Sequence, residues 1–427
     1  MRRTTLLALS SLALGLVVGC SVNPVTGKSQ LDLMGEAGEI RMGTNFYPGA
    51  IQGSLGPIEE EDVQATVERV GQAVAGVSHR PGLPYQFTAV NDPDVNAFAL
   101  PGGKICITRG LISRLESEDG LAAVLSHEVG HVTARHAVSA YNRQIMATAI
   151  LVGGAVYMES KDVKNRGLIT LGAVIGTQLV LASYSRDQER QSDDLGIDYA
   201  VKAGYSPQGM VETQRILLDV QKRQPGFVER LFASHPMSAE RLVTAQARIA
   251  TLPADVQARL VRPEPYRTAM AEVIVERPAW DLASEGQALL SKDKDREGEA
   301  KLAQAVRLAP EAGVIRTLHA VSLASLKQKG PAADEARQGA RLSGDVYVSR
   351  LVAGELLLEP DPAAALENLE AAEKLLPGEP MVSLLRGEAL EKLGRRQDAK
   401  AAYSEAQARD PNGDVGAEAA RRARGLG

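Results

Sequence analysis

The feature that most limits what this chain can become is a period of 33 or 34 residues that sets in after Trp280. Small residues recur at Gly286, Ala320, Ala353 and Gly387, and leucine follows three positions later at Leu289, Leu323, Leu356 and Leu390. Further along each unit stand Gly298, Ala332, Ala365 and Ala399, then Ala305, Gly339, Ala372 and Ala406; the units close at Pro310, Gly344, Pro377 and Pro411. A repeat of this length holds one helix pair, which buries its apolar face only against a neighbouring pair. The small residues permit close approach of the paired helices. A generic Ala-rich bundle would not place leucine and proline at a constant interval. An aromatic content of only 4% agrees with helix as the dominant element.

This spacing resembles four tetratricopeptide repeats, which predicts an α-helical solenoid over residues 279–413 with a concave surface suited to peptides or partner proteins. The full 427 residues exceed one comfortable core, so a second unit must precede the repeats. Its expected extent is 20–265, ending where Pro253, Pro263, Pro265 and Pro278 punctuate the chain. Here the fold class reads as α+β, though mostly helical. Val63, Val67, Val70 and Val74 predict a helix over Glu59 to Val77. Tyr85 to Val90 reads as a strand, and Asn96 to Ala99 with Ile105 to Thr108 read as a hairpin around Pro101-Gly102-Gly103. The next helix is expected from near Ser117 to about Met146.

Residues 1–19 read as a targeting segment: Arg2 and Arg3 precede an apolar run from Leu6 to Val18 that ends at Gly19-Cys20. A small residue before cysteine at this place resembles a bacterial lipobox, which implies lipidation of Cys20; Ser21 fits sorting to the outer membrane. An ordinary secretory peptide with an incidental cysteine is the alternative. If Cys20 is modified, Cys106 remains alone, so no intramolecular disulfide is available. Cys106 sits in an alternating strand and reads as a small buried hydrophobe, not a nucleophile. Loss of Arg2 and Arg3 moves the formal charge from −5 to −7, 46 basic against 53 acidic residues, which argues against nucleic acid as principal partner. Two apolar segments, Ala147 to Met158 and Gly167 to Ser183, are each shorter than the roughly 20 residues a membrane span needs. They read as a buried helical hairpin, or as one that dips into a membrane or covers the active site.

The chemistry centres on His127-Glu128-Val129-Gly130-His131 within a helical pattern. Residues four apart share a helix face, so both imidazoles can reach one cation with Glu128 beside them. Two neutral imidazoles and a carboxylate suit zinc with an open position for water, and Glu128 would move that water's proton. Fifty-eight residues after His131 stands Glu189, in a helix that Ser185 and Gln188 would start as a capping box. Asp193 lies one turn on along the same face, placed to orient a ligating imidazole through its second ring nitrogen.

With these residues the chain resembles the zinc metallopeptidases of the HtpX and prenyl-protein endopeptidase type, gluzincins in their ligand set, and among them the periplasmic members that carry tetratricopeptide repeats. The resemblance rests on Asn23-Pro24-Val25-Thr26-Gly27, Asn96-Ala97-Phe98-Ala99, Pro101-Gly102-Gly103, the metal helix, the acidic helix and Ser234-His235-Pro236. It implies one zinc ion held by His127, His131 and Glu189, Glu128 as catalytic base, and Asp193 behind a ligand. It also implies that His235 approaches the metal, either to stabilise the oxyanion or to fill the open position and keep the enzyme latent. Gln191 and Ser192 depart from the family, which usually has Glu and Ala there. Asn96 and the following strand could offer an edge to an extended substrate. His136 lies five residues past His131, about 140° round a continuous helix, and so is expected off the ligand face.

The implied function is quality control of envelope proteins: cleavage of misassembled outer-membrane proteins, with the repeats engaging unfolded substrates or the outer-membrane assembly machinery. A repeat-based chaperone or adaptor with a largely latent zinc site is the rival reading. The implied address is the periplasm, with a lipid anchor in a membrane.

Overall fold

The computed structural model describes residues 19–142, 184–223, 226, 231, 235 and 239–426. The apolar segments between Ala147 and Ser183, and the targeting segment up to Val18, lie outside the described residues. Among the described residues, no helix is long and apolar enough to cross a membrane.

A short hairpin, β1 (Gly19–Val22) and β2 (Ser29–Asp32), leads into helices α1 (Gly35–Gly53) and α2 (Glu61–Gly76). Val63, Val67, Val70 and Val74 of α2 are fully buried, as helical spacing requires of one face. They cover a three-stranded sheet of β3 (Gln86–Val90), β4 (Ala97–Leu100) and β5 (Lys104–Thr108) in the order β3-β5-β4. The expected hairpin is present as β4 antiparallel to β5, with Gly102 and Gly103 at φ of 72° and 87° where L-residues with a Cβ are strained. β3 runs parallel to β5, and every residue of β5 is buried, Cys106 among them. Burial pushes the Cys106 thiol up, which suits an inert core position.

Helix α3 (Glu118–Thr133) packs on this sheet and is buried along its entire length. The Ser117 hydroxyl caps it by accepting from the Gly120 amide at 2.9 Å. It stops well short of Met146. Arg135 adopts a left-handed φ of 59°, and the chain is helical again from 136 to 142, the last described residue of this stretch. The cause is a buried charge cluster. Arg135 Nε donates to Glu39 at 3.1 Å and its Nη1 to Asp32 at 2.7 Å, while Arg80 grips both Glu39 oxygens at 2.9 and 3.0 Å. Charge-assisted bonds of this kind outweigh the ~1–2 kcal/mol cost of a left-handed non-glycine residue. The carbonyls freed at the helix end are also met: Asn23 donates to Ala134 and Arg80 to Val132. The Asn23 to Gly27 motif thus works as a clasp on the end of the metal helix.

Beyond it come α4 (Arg186–Lys202), α5 (Gln208–Arg223), α6 (Ala239–Ala250) and α7 (Pro263–Ala269). Helix α8 (Ala271–Leu290) starts with Val273 in the first core and ends with Ala279, Trp280 and Ala283 in the core of the repeats. It pairs with α9 (Asp295–Leu308); then follow α10 (Gly313–Ser325) with α11 (Lys329–Leu342), α12 (Tyr347–Leu356) with α13 (Pro362–Leu375), and α14 (Pro380–Lys392) with α15 (Arg396–Arg409). A last helix, α16 (Asp414–Gly425), covers the end of the stack. The periodic small residues sit where helices touch: a Cβ on Gly387 would lie 2.3 Å from the Tyr403 ring. Four helix pairs in series form the solenoid that the period predicts.

The repeats are fastened to the first unit. Gln52 of α1 donates to the Asp345 carbonyl at 3.1 Å and accepts from the Tyr347 amide at 2.8 Å. Arg109 forks onto Glu60 and reaches Glu276 of α8, while Arg114 reaches Asp281 at 2.6 Å.

Candidate metal centre

His127 and His131 occupy successive turns of α3, and Glu189 faces them from α4, whose start at Ser185 carries the full capping box with Gln188. Single ligand atoms of His127, His131, Glu189 and His235 lie within 4.8 Å of one another, and all four residues are buried. The two Nε2 atoms are 3.0 Å apart; Glu189 Oε1 is 3.3 Å from His131 Nε2, and Oε2 is 3.6 Å from His127 Nε2. His235 Nδ1 is 3.0 Å from Glu189 Oε1 and 3.4 Å from His127 Nε2. Imidazole and carboxylate lone pairs converging on one buried point are the donor set of a metal ion. The residues therefore fit a cation, with His235 as a potential fourth donor.

Glu128, between the two histidines in sequence, is 2% exposed, and its Oε2 has no hydrogen-bond partner among the described residues. His235 Nε2 stands 3.8 Å from its other oxygen. Burial raises the Glu128 carboxyl above its ordinary range, against the pull of His235 and His127. Burial likewise holds His131 well below the usual imidazole value, so it is neutral and able to ligate. Burial alone would raise Glu189, but the neighbouring imidazoles keep it well below the carboxylate range.

Behind the ligands, Asp193 Oδ1 lies 3.0 Å from His127 Nδ1, the contact expected of it. Arg241 of α6 was not legible in the sequence as a site residue. Its guanidinium grips both Asp193 oxygens at 2.6 and 2.7 Å and reaches Glu189 Oε2 at 2.7 Å. The weak signal was a basic residue in the first turn of a helix that follows a His-Pro loop. Tyr184 was also missed; its ring stacks on His131 with centroids 3.9 Å apart.

His136 stays off the ligand face, as expected, but for a different reason. Because α3 ends at Thr133, the 140° offset of a continuous helix does not apply, and His136 folds back behind the site. Its Nδ1 is 2.9 Å from His131 Nδ1 and its Nε2 is 3.0 Å from Gln191 Oε1, so one departure from the family pattern touches it directly. Asn96 stands at the head of edge strand β4, with its Oδ1 buried and without a hydrogen-bond partner among the described residues. The next residue, Ala97, lines a cavity of about 40 Å³ together with His127, Glu128 and His235.

Residues 57–249 match Peptidase family M48. The chain is 27% identical over 228 residues to the Beta-barrel assembly-enhancing protease of Escherichia coli (strain K12), covering 53% of this chain and 46% of that protein. It is 29% identical over 178 residues to the Mitochondrial metalloendopeptidase OMA1 of Schizosaccharomyces pombe, 41% of this chain and 50% of that one. It is 30% identical over 172 residues to Metalloprotease YcaL of Escherichia coli (strain K12), 40% of this chain and 64% of that one. The matched stretch spans about half the length of the first two relatives.

Proposed function

We propose that this chain, whose residues 57–249 carry a Peptidase family M48 domain, is a zinc metalloendopeptidase of the bacterial cell envelope that hydrolyses misfolded or misassembled proteins, outer-membrane proteins among them. The observation that carries the reading is the buried convergence of His127, His131, Glu189 and His235 beside Glu128. Two neutral imidazoles and one carboxylate suit zinc better than magnesium or calcium, which favour oxygen ligands. Zinc held there supplies Lewis acidity toward the scissile carbonyl and lowers the pKa of water to about 7. Glu128 accepts the proton of the attacking water and returns it to the leaving amine. Asp193, clamped by Arg241, holds the His127 ring in its ligating tautomer. Asn96 and the edge of β4 pair with an extended substrate through main-chain groups, which gives affinity with little sequence preference.

His235 favours a second reading, in which the repeats act as a chaperone or assembly adaptor while the metal site rests. Its Nδ1 points at the other ligands and so supports occupation of the open position. One experiment addresses both readings: the purified chain is given an unfolded polypeptide with and without a chelator, beside His235→Ala. Chelator-sensitive cleavage, faster in the variant, is expected. Cleavage indifferent to the chelator would sink the metallopeptidase; a slower variant would move His235 to oxyanion stabilisation.

The name of the Escherichia coli relative supports partners in β-barrel assembly, reached through the repeats. The lipobox-like Gly19-Cys20 supports a periplasmic protein anchored by lipid, at the outer membrane. Stable anchoring needs more than one acyl chain. The mass of the mature N-terminal peptide should therefore include lipid on Cys20, and Cys20→Ala should release the protein from membranes; an unmodified terminus would reject the anchor.

A further inference from the structure

The two histidines of the metal helix are supported unequally. Behind His127 stands a carboxylate, Asp193, itself gripped by the Arg241 guanidinium. Behind His131 stands a second imidazole: His136 Nδ1 lies 2.9 Å from His131 Nδ1, with the ring centroids 4.9 Å apart and the rings at 72°. Behind that ring, Gln191 Oε1 is 3.0 Å from His136 Nε2, and the Ser192 hydroxyl makes a longer contact of 3.4 Å with His136 Nδ1. Both rings are enclosed, His131 at 1% exposure and His136 at 4%, while Gln191 is half-buried. The geometry points to His136, held by Gln191, as the positioning residue that fixes the tautomer and ring orientation of His131.

Hydrogen-bond polarity decides between the two possible proton placements. Two nitrogens 2.9 Å apart share one proton, so one ring donates and the other accepts. If His136 donated, the His131 proton would sit on Nε2, aimed at His127 Nε2 3.0 Å away and at the place a metal must occupy. If His131 donates from Nδ1, its Nε2 lone pair is free for the metal. His136 then accepts at Nδ1 and carries its own proton on Nε2, which needs an acceptor. Gln191 Oε1 is that acceptor. A glutamine carbonyl fixes this polarity without adding a charge behind His131. The departure at position 191 therefore leaves His131 with a neutral support where His127 has a charged one. Arg135 makes the arrangement possible: its left-handed backbone ends the helix and returns the next residue to the back of His131.

The inference rests on the metal reading, so its test is zinc affinity, measured on the full chain by competition with a chromophoric chelator and independent of peptide cleavage. Loss of a partner behind a ligating histidine typically weakens metal affinity 10–100-fold, and His136→Ala is expected to fall in that range. His136→Asn puts Oδ1 where Nδ1 stood, so it keeps the acceptor and should recover most of the parental affinity. Gln191→Leu should weaken binding as well, and Gln191→Glu, which keeps the acceptor, should not. In the zinc-loaded parent, the His131 Nδ1 proton should give a slowly exchanging downfield resonance that is absent in His136→Ala. Parental affinity in His136→Ala would overturn the inference. Equal losses in His136→Ala and His136→Asn would overturn it too, since that is the pattern of a side chain that merely fills space. A parent chain that binds no zinc would overturn the metal reading and this inference together.

Discussion

Glu128→Gln is expected to lower peptide cleavage by about 10²- to 10⁴-fold, the range typical of losing a general base, while the zinc content stays at the parental level. The side chain keeps its size in a site where Glu128 is only 2% exposed, so packing is preserved. What goes is a carboxylate whose Oε2 is buried and has no hydrogen-bond partner among the described residues, the atom placed to take a proton. His131→Ala and Glu189→Ala should behave differently and lose metal along with activity, because each removes one of few protein ligands. Partner binding through the repeats should survive the Glu128 change, since those helices bury their faces on one another. Metal analysis beside a cleavage assay separates the cases. A Glu128→Gln protein that cleaves at the parental rate would overturn the mechanism, and one that loses zinc would move Glu128 into the ligand set.

Glu39→Ala should cost about 3–5 kcal/mol of stability, the usual penalty for removing one partner of a buried ion pair. Glu39 is 1% exposed and bonds to both Arg80 and Arg135. Without it two buried guanidinium groups lose a shared carboxylate. Glu36 makes a comparison on the same helix: it also pairs with Arg80, but its side chain is 65% exposed. Glu36→Ala should therefore cost less than about 1 kcal/mol. Urea unfolding of the full chain measures both. Equal effects would show that burial of the cluster is not what gives it weight.

Where sequence served well, the information was local. The pair His127 and His131 needs only the pitch of one helix, the start of α4 needs only Ser185 and Gln188, and each repeat closes over its nearest neighbours. The β4–β5 hairpin likewise needs only its turn. The parallel pairing of β3 with β5 joins segments that no turn connects, so nothing in either strand announces it. Arg241 becomes a site residue only because α6 packs against α4. The break after Thr133 is the most instructive case. Ala134-Arg135-His136 holds no glycine or proline, so local propensity continues the helix. The stop comes from Asn23, Asp32 and Glu39, about a hundred residues upstream, and it is what turns His136 to the back of His131.

Helix α8 belongs to two cores at once, with Val273 packed beside Tyr266 and Met270 in one and Ala279, Trp280 and Ala283 in the other. A helix shared in this way makes folding cooperative across the junction, because melting either end strips the other core of part of its cover. The first unit and the repeats are therefore poorly suited to separate domain-by-domain unfolding, and proteolytic nicking at the join would first require opening both.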